Sequence, residues 1–394
     1  MRHRPMEVLA ASAIAVCCLA LAIHPTLRSP AEVVPAPEVT TTQLQVASPV
    51  QAPAATRPRI DVVFVLDTTG SMSGLIEGAK QKIWAIANRL ASGEPRPDLR
   101  IGLVAYRDNG DEYVTKRFDF SGDMDAVYAE LLGYEVGGGG DHAEHVGRGL
   151  EDALDRMQWS DGDKVLKLVF LVGDAPPHDD YQDSPTTAEL AKRAAQRGIV
   201  INTVQCGLSP EAEVAWRRIA GATNGEYSQI AQNGGVVAVA TPYDGRLQEL
   251  NNQLSATVLT WGSHGDKLNA AVKLGHRTAM SASAAAEAAS YSARIGRMNS
   301  EDLLGALDGG QALTDIPTDQ LPDAMQKMTF EQQVAHVAEA RRQRAAVNEQ
   351  IRELSVQRDA YLRNAEPAAG AGAGFDATVT ATLRRQAESI GVSY

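Results

Sequence analysis

Cysteine and positive charge are both scarce in this chain. Its 394 residues include only three cysteines, Cys17, Cys18 and Cys206, and two of these sit in an N-terminal apolar run. Cys206 is then alone in the remainder. A lone thiol closes no internal disulfide, and no CxxC spacing points to zinc. Cys206 follows the apolar run Ile199 to Val204, which predicts a buried core thiol. Lys and Arg number 37 against 49 Asp and Glu, a formal charge of -12. Loss of Arg2 and Arg4 would leave the rest more acidic still. Such a chain does not attract phosphate backbones, so nucleic acid is not an expected partner. The sequence shows no P-loop, no dinucleotide fingerprint and no Ser-His-Asp pattern. Hydrophobic residues make up 44%, enough for a sizeable core, and the length allows more than one domain.

The N-terminus follows the layout of an export signal. Arg2, His3 and Arg4 precede an almost unbroken apolar stretch from Val8 to Ile23. The stretch is slightly short for a spanning helix, which needs about 20 residues. Ala20-Leu21-Ala22 offers a small-x-small cleavage site, whereas Val16 before Cys17 argues against lipoprotein processing. Residues 1–24 are therefore expected to be a signal peptide or membrane anchor, with both forms left open. The expected location is exported: cell envelope or periplasm, anchored or secreted. Residues 25–58 hold Pro25, Pro30, Pro35, Pro37, Pro49, Pro53 and Pro58 among Ala, Val and Thr, and read as an extended linker.

From Arg59 the pattern changes. Ile60 to Leu66, Ile101 to Tyr106, Val165 to Val172 and Ile199 to Val204 are short apolar runs, as parallel strands covered on both faces require. Helical spacing lies between them. It shows in Ile76, Ala79, Ile83, Ile86, Ala87 and Leu90, in Val146, Leu150, Ala153, Leu154 and Met157, and in Leu190, Ala191, Ala194 and Ala195. The expected fold class is α/β, a doubly wound, mostly parallel sheet followed by a helical C-terminal region. Ligands of such sheets gather beyond the carboxyl ends of the strands.

Oxygen-bearing residues collect at those ends. The first strand runs into Asp67-Thr68-Thr69-Gly70-Ser71, and the strand ending at Val172 runs into Gly173-Asp174-Ala175-Pro176-Pro177-His178. Between them in sequence lies Gly137-Gly138-Gly139-Gly140-Asp141. Parallel strands would bring the first and last of these loops to one rim. Two carboxylates, two hydroxyls and no soft ligand suit a hard cation: Mg2+, or Ca2+ or Mn2+. Gly70 lets the backbone curl between the hydroxyls.

The first of these segments resembles the metal-ion-dependent adhesion site (MIDAS) of von Willebrand factor A domains, whose first loop reads Asp-x-Ser/Thr-x-Ser. Tyr106-Arg107-Asp108, the Gly-rich loop with Asp141 and Glu144, the Gly173 to His178 segment and Thr241-Pro242-Tyr243-Asp244 extend the resemblance to bacterial members of that family. It covers about Arg59 to Gly262. The resemblance implies that Thr69 and Ser71 ligate the metal and that Asp67 and Asp174 orient its waters or bind at longer range. It also implies a protein ligand at the metal, in an adhesion or assembly module rather than an enzyme. Two positions depart from the pattern. Asp141 stands where the second loop usually supplies threonine, and Ala143 where many relatives have proline. A third carboxylate would outweigh one divalent ion, so a neutral oxygen donor from the partner or a preference for Ca2+ is expected. The metal set is then Asp67, Thr69, Ser71, Asp141 and Asp174.

Two enzymatic alternatives use the same residues. A haloacid dehalogenase-like phosphatase or phosphotransferase would make Asp67 the nucleophile, but it lacks the second Asp at Thr69 and a placed lysine. A zinc site would use His142, His145 and His178, although the first two are three apart where a catalytic pair is usually four apart.

The domain organisation continues as residues 59–262 for the A domain and 263–327 for an Ala/Ser-rich helical region and connector. A long helix follows over 328–366, a coiled-coil candidate, and then a linker with a short terminal helix over 367–394. Helical spacing from Gly245 to Trp261 closes the A domain. The Ala/Ser-rich segment is expected to bury little area. Thr329 with Gln332 makes a capping box for the long helix. Its seam of Val337, Ala340, Val347, Ile351, Leu354 and Tyr361 is interrupted by Arg344 and Arg358. Pairing with the Ala-rich segment therefore fits it better than a homodimer. Oligomeric state is not readable from the chain.

Overall fold

The computed structural model describes residues 57–140, 143–234, 239–365 and 375–394. The expected export signal, the Pro-rich linker up to residue 56 and the linker around 366–374 lie outside the described residues. Among the described residues no helix is long and apolar enough to cross a membrane.

Six strands form one sheet in the order β3-β2-β1-β4-β5-β6. They are β1 (Arg59–Asp67), β2 (Asp98–Tyr106), β3 (Thr115–Ser121), β4 (Val165–Gly173), β5 (Ile199–Cys206) and β6 (Tyr227–Ile230). The central strand β1 pairs in parallel with β2 and β4, with Asp67 opposite Tyr106 and Leu66 opposite Val172. Only β3 is antiparallel, hairpinned onto the outer edge of β2. The mostly parallel sheet is as expected. The two outermost strands were not foreseen: β3 carries Lys116, Arg117 and Asp119 and is half exposed, and β6 has four residues.

The alternation of β1 divides the core. Phe64 and Leu66 face α1 (Ser73–Leu90), α2 (Met124–Leu132) and α8 (Ala282–Ile295). Val63 and Val65 face α3 (Val146–Glu151), α4 (Thr187–Gln196) and α5 (Pro210–Ala222). Trp84 and Trp216 fill one face each. Cys206 is fully buried, as expected, and burial pushes its thiol well up.

The C-terminal half does more than the composition suggests. After α6 (Asp244–Ala256) come α7 (His264–Thr278), α8, α9 (Leu303–Asp308), α10 (Phe330–Ala365) and α11 (Phe375–Ala387). The Ala/Ser-rich segment was expected to bury little, yet α8 is buried at every position from Ala284 to Ala293. Its small side chains let α1, α6 and α10 close around it. Arg277 is buried among these helices, and each guanidinium nitrogen has an acceptor: Asn251 Oδ1 at 2.9 Å, Asp125 Oδ1 at 3.0 Å, and Ala288 O with Ser292 Oγ at 3.0 and 2.7 Å. The seam of α10 packs within the chain, Val347 and Ile351 against α6 and α8, and Val337 and Ala340 against α9 and its connector. Both seam arginines are paired. Arg344 meets Asp302, while Arg358 reaches Asp244 Oδ1 at 2.7 Å and Glu287 Oε1 at 2.6 Å.

Helix α11 returns to the sheet. Phe375, Val379 and Leu383 join the core beside α1, and the Phe375 ring lies 6.0 Å from Phe64. Leu383 is fully buried. Leu383→Ala is therefore expected to cost about 2–5 kcal/mol in urea unfolding. A loss near zero would mean that α11 contributes nothing to the folded core.

Candidate functional site

Parallel pairing ends β1, β2, β4 and β5 on one rim. Asp67 is the last residue of β1 and is fully buried. Its Oδ1 accepts from the Thr69 backbone N–H at 2.8 Å and from Thr69 Oγ1 at 2.6 Å. Its Oδ2 is buried with no hydrogen-bond partner. Thr69 Oγ1 also lies 3.3 Å from Ser71 Oγ, so two hydroxyls and a carboxylate oxygen sit together. The loop is held by Thr68, whose N–H and Oγ1 both donate to Tyr106 O at 3.0 Å.

The Gly-rich loop closes on it from one side. Gly137 N donates to Thr68 O, and a Cβ on Gly139 would lie 3.5 Å from Thr69 Cβ and 3.6 Å from Glu144 Oε1. Gly139 has a φ of +83°, which an L side chain resists. The same loop is tied to the segment after β4, because Glu144 N donates to Pro176 O and His178 N to Glu144 O, each at 3.0 Å. From that side comes Asp174, whose Oδ2 accepts from Gln232 Nε2 at 2.6 Å. Asp67, Thr69, Ser71 and Asp174 thus occupy one rim. Asp141 lies outside the described residues.

The electrostatics are those of negative charges pressed together. Burial pushes the Asp67 carboxyl up to about 7, with Asp174 adding to the rise against the Thr69 hydrogen bonds. Glu144 is pushed up to about 9 by burial and then by Asp67, Asp108, Asp111 and Asp174. Its Oε2 and Asp108 Oδ1 are also buried without partners. Glu144 belonged to the recognised motif but not to the expected ligands. Its separation of five residues from Gly139 gives no hint that Thr69 and the Glu144 carboxylate both lie beside that glycine.

Residues 61–242 match the family model described as von Willebrand factor A domain. That segment is a von Willebrand factor A domain. The alpha-protein kinase vwkA of Dictyostelium discoideum is 29% identical over 122 residues, which is 30% of this chain and 19% of that protein. The match spans about a fifth of that relative's length. Among solved structures, BatB from Bacteroides thetaiotaomicron is 14% identical with a TM-score of 0.33, over 44% of this chain and 90% of its own. Mussel byssus proximal thread matrix protein 1, solved with zinc in its MIDAS motif, is 16% identical with a TM-score of 0.35, over 45% of this chain and 43% of its own. Likeness at this level carries nothing about ligands.

The reading of Asp67 as a phosphatase nucleophile finds no support in these matches. The histidines of the zinc alternative have other tasks in the A domain. His145 is buried at the start of α3, where Nδ1 accepts from Arg148 N at 3.3 Å and Nε2 faces Asp183 Oδ1 at 3.2 Å. Burial holds its pKa down, so the neutral ring serves as a cap. His178 Nδ1 meets Asp180 Oδ1 at 2.9 Å, its ring stacked on Tyr181. His142 lies outside the described residues.

Gly173 fixes how closely β4 passes the site. A Cβ there would collide with Tyr106 Oη and lie 3.2 Å from Asp67 Cβ. Gly173→Ala in the A domain should therefore cost about 1–3 kcal/mol through overpacking and displace Asp67. Chemical denaturation measures the cost, and unchanged stability would remove the steric argument.

Proposed function

We propose that the A domain holds one divalent cation at the rim and uses it to bind a protein partner. The observation that carries this reading is Asp67: a fully buried carboxylate with one oxygen on Thr69 and the other without a hydrogen bond of normal geometry, eased only by the nearby Asp174 backbone N–H. An unanswered buried charge is costly, and a cation answers it. The donors nearby are oxygens, as Mg2+, Mn2+ and Ca2+ prefer. Among the described residues, no group of three or more His, Cys, Asp and Glu side chains is arranged to hold a metal by itself. In this reading Thr69 and Ser71 supply direct ligands while Asp67, Asp174 and Glu144 act through waters. Such a site keeps a coordination position open at the rim. Asp141 would add negative charge there to that of Asp67 and Asp174, favouring a partner that offers a neutral oxygen. The N-terminal signal pattern supports an exported module displayed on a Pro-rich tether.

Calorimetry on the full chain tests the ion. Heat with Mg2+, Mn2+ or Ca2+ is expected, lost in Asp67→Asn and weakened in Ser71→Ala; silence with all three ions ends the reading. Partner capture from envelope extracts should then need the ion, with EDTA and Asp67→Asn each removing the same bands.

The raised carboxyls predict a pH signature. Asp67 and Glu144 bind protons more tightly folded than unfolded, so their contribution is fully present below about pH 4. In EDTA it is lost as pH rises through about 7 and about 9. Thermal midpoints in EDTA should fall between pH 5 and 9, and the gain from added Mg2+ should grow over the same range. A Mg2+ gain that shrinks with pH would contradict the assignment.

A further inference from the structure

The loop after β6 reaches across the rim from the far edge of the sheet. Gln232, an exposed residue of this loop, donates from Nε2 to Asp174 Oδ2 at 2.6 Å and to Ser71 O at 3.4 Å. Both atoms are acceptors, so only the amide nitrogen can face them. The amide oxygen points the other way, over Gly207 at the end of β5. A Cβ on Gly207 would collide with Gln232 Oε1. Gly207 has a φ of +72° and is itself held by Ile230 O through its N–H and by Gln229 Nε2 through its carbonyl. The Gln232 amide therefore lies in a fitted seat: oxygen above a glycine, nitrogen bridging the loops after β1 and β4.

We propose that Gln232 is a positioning residue for the cation site, and that Gly207 is the seat that lets it reach. The proposal rests on the cation reading above. An aspartate on a surface loop has several rotamers, and ordering it costs free energy on binding. Gln232 meets that cost beforehand. It occupies Oδ2 of Asp174, leaves Oδ1 for the ion or its water, and ties the same carboxylate to the Ser71 backbone. A donor one shell out from a metal typically tunes affinity 10–100-fold. Because Gln232 is exposed and its amide donates only to rim atoms, Ser71 O and Asp174 Oδ2, its removal should not weaken the core.

The test is calorimetry with MgCl2 and MnCl2 on the full chain, with thermal unfolding in EDTA alongside. Gln232→Ala and the near-isosteric Gln232→Met, which keeps bulk but lacks the donor, should each bind about tenfold or more weakly. Their midpoints in EDTA should match wild type, a result that general destabilisation would not give. Gly207→Ala should weaken the ion by a similar factor through displacement of the amide. Equal affinity in Gln232→Met would overturn the proposal, and tighter binding would do so too, since the amide would then be competing with the ion for Asp174. The two readings fail separately. Wild type silent toward the ions sinks the cation site itself. Wild-type binding that Asp67→Asn abolishes and Gln232→Met leaves intact sinks the positioning role alone.

Discussion

Parallel pairing of β1 with both β2 and β4 governs where the chemistry of this molecule sits. Parallel strands all finish at one edge, so residues far apart in sequence are delivered to one rim without a long-range contact having to select them. Asp67 and Asp174 are 107 positions apart, yet Asp67 ends β1 and Asp174 directly follows β4, strands whose register sets Leu66 opposite Val172. The short hydrogen bonds of the rim, from Thr68 to Tyr106 and from Glu144 to Pro176, then hold the loops at separations the sheet has already set. The arrangement leaves Asp67 Oδ2, Glu144 Oε2 and Asp108 Oδ1 buried without hydrogen-bond partners, which is why the proposed cation reading rests on the backbone and not on loop composition alone.

The legible part of the chain was the part in which local pattern and tertiary role coincide. Strands buried on both faces read as continuous apolar runs, and β1, β2, β4 and β5 were found that way. β3 was hidden because an edge strand with a half-exposed face can carry Lys116 and Arg117 without penalty, and β6 because four residues hold no periodicity. At the site, Asp67, Thr69 and Ser71 were visible as a tight cluster at a strand end. Gln232 was not, since nothing local marks a polar residue in a loop; its partner is created by the neighbouring strand and by the missing side chain of Gly207.

The C-terminal helices teach a related lesson about small residues. An alanine buries little area, so composition assigned α8 a minor part. Burial depends on neighbours as well as size, and a helix of small side chains can be surrounded closely by α1, α6 and α10. The charged positions Arg277, Arg344 and Arg358 fit the same geometry. Each is buried where a carboxylate on, or just before, another helix awaits it, so these pairs specify which helix lies against which. Removing one member would leave the other charge stranded.

Arg358 gives that specification reach. It sits near the end of a 36-residue helix and grips Asp244, whose carboxylate also accepts from Thr241 N–H and Oγ1 where the family-matched segment stops, and Glu287, which in turn accepts from Asn88 on α1. A fragment cut after Gly262 would keep Asp244 and lose its guanidinium, and would bare the faces of α1 and the sheet that α8 and α11 cover. The compact unit of this protein, Ala55–Tyr394, is thus knit by counterions and borrowed helices beyond the segment that the family model matches.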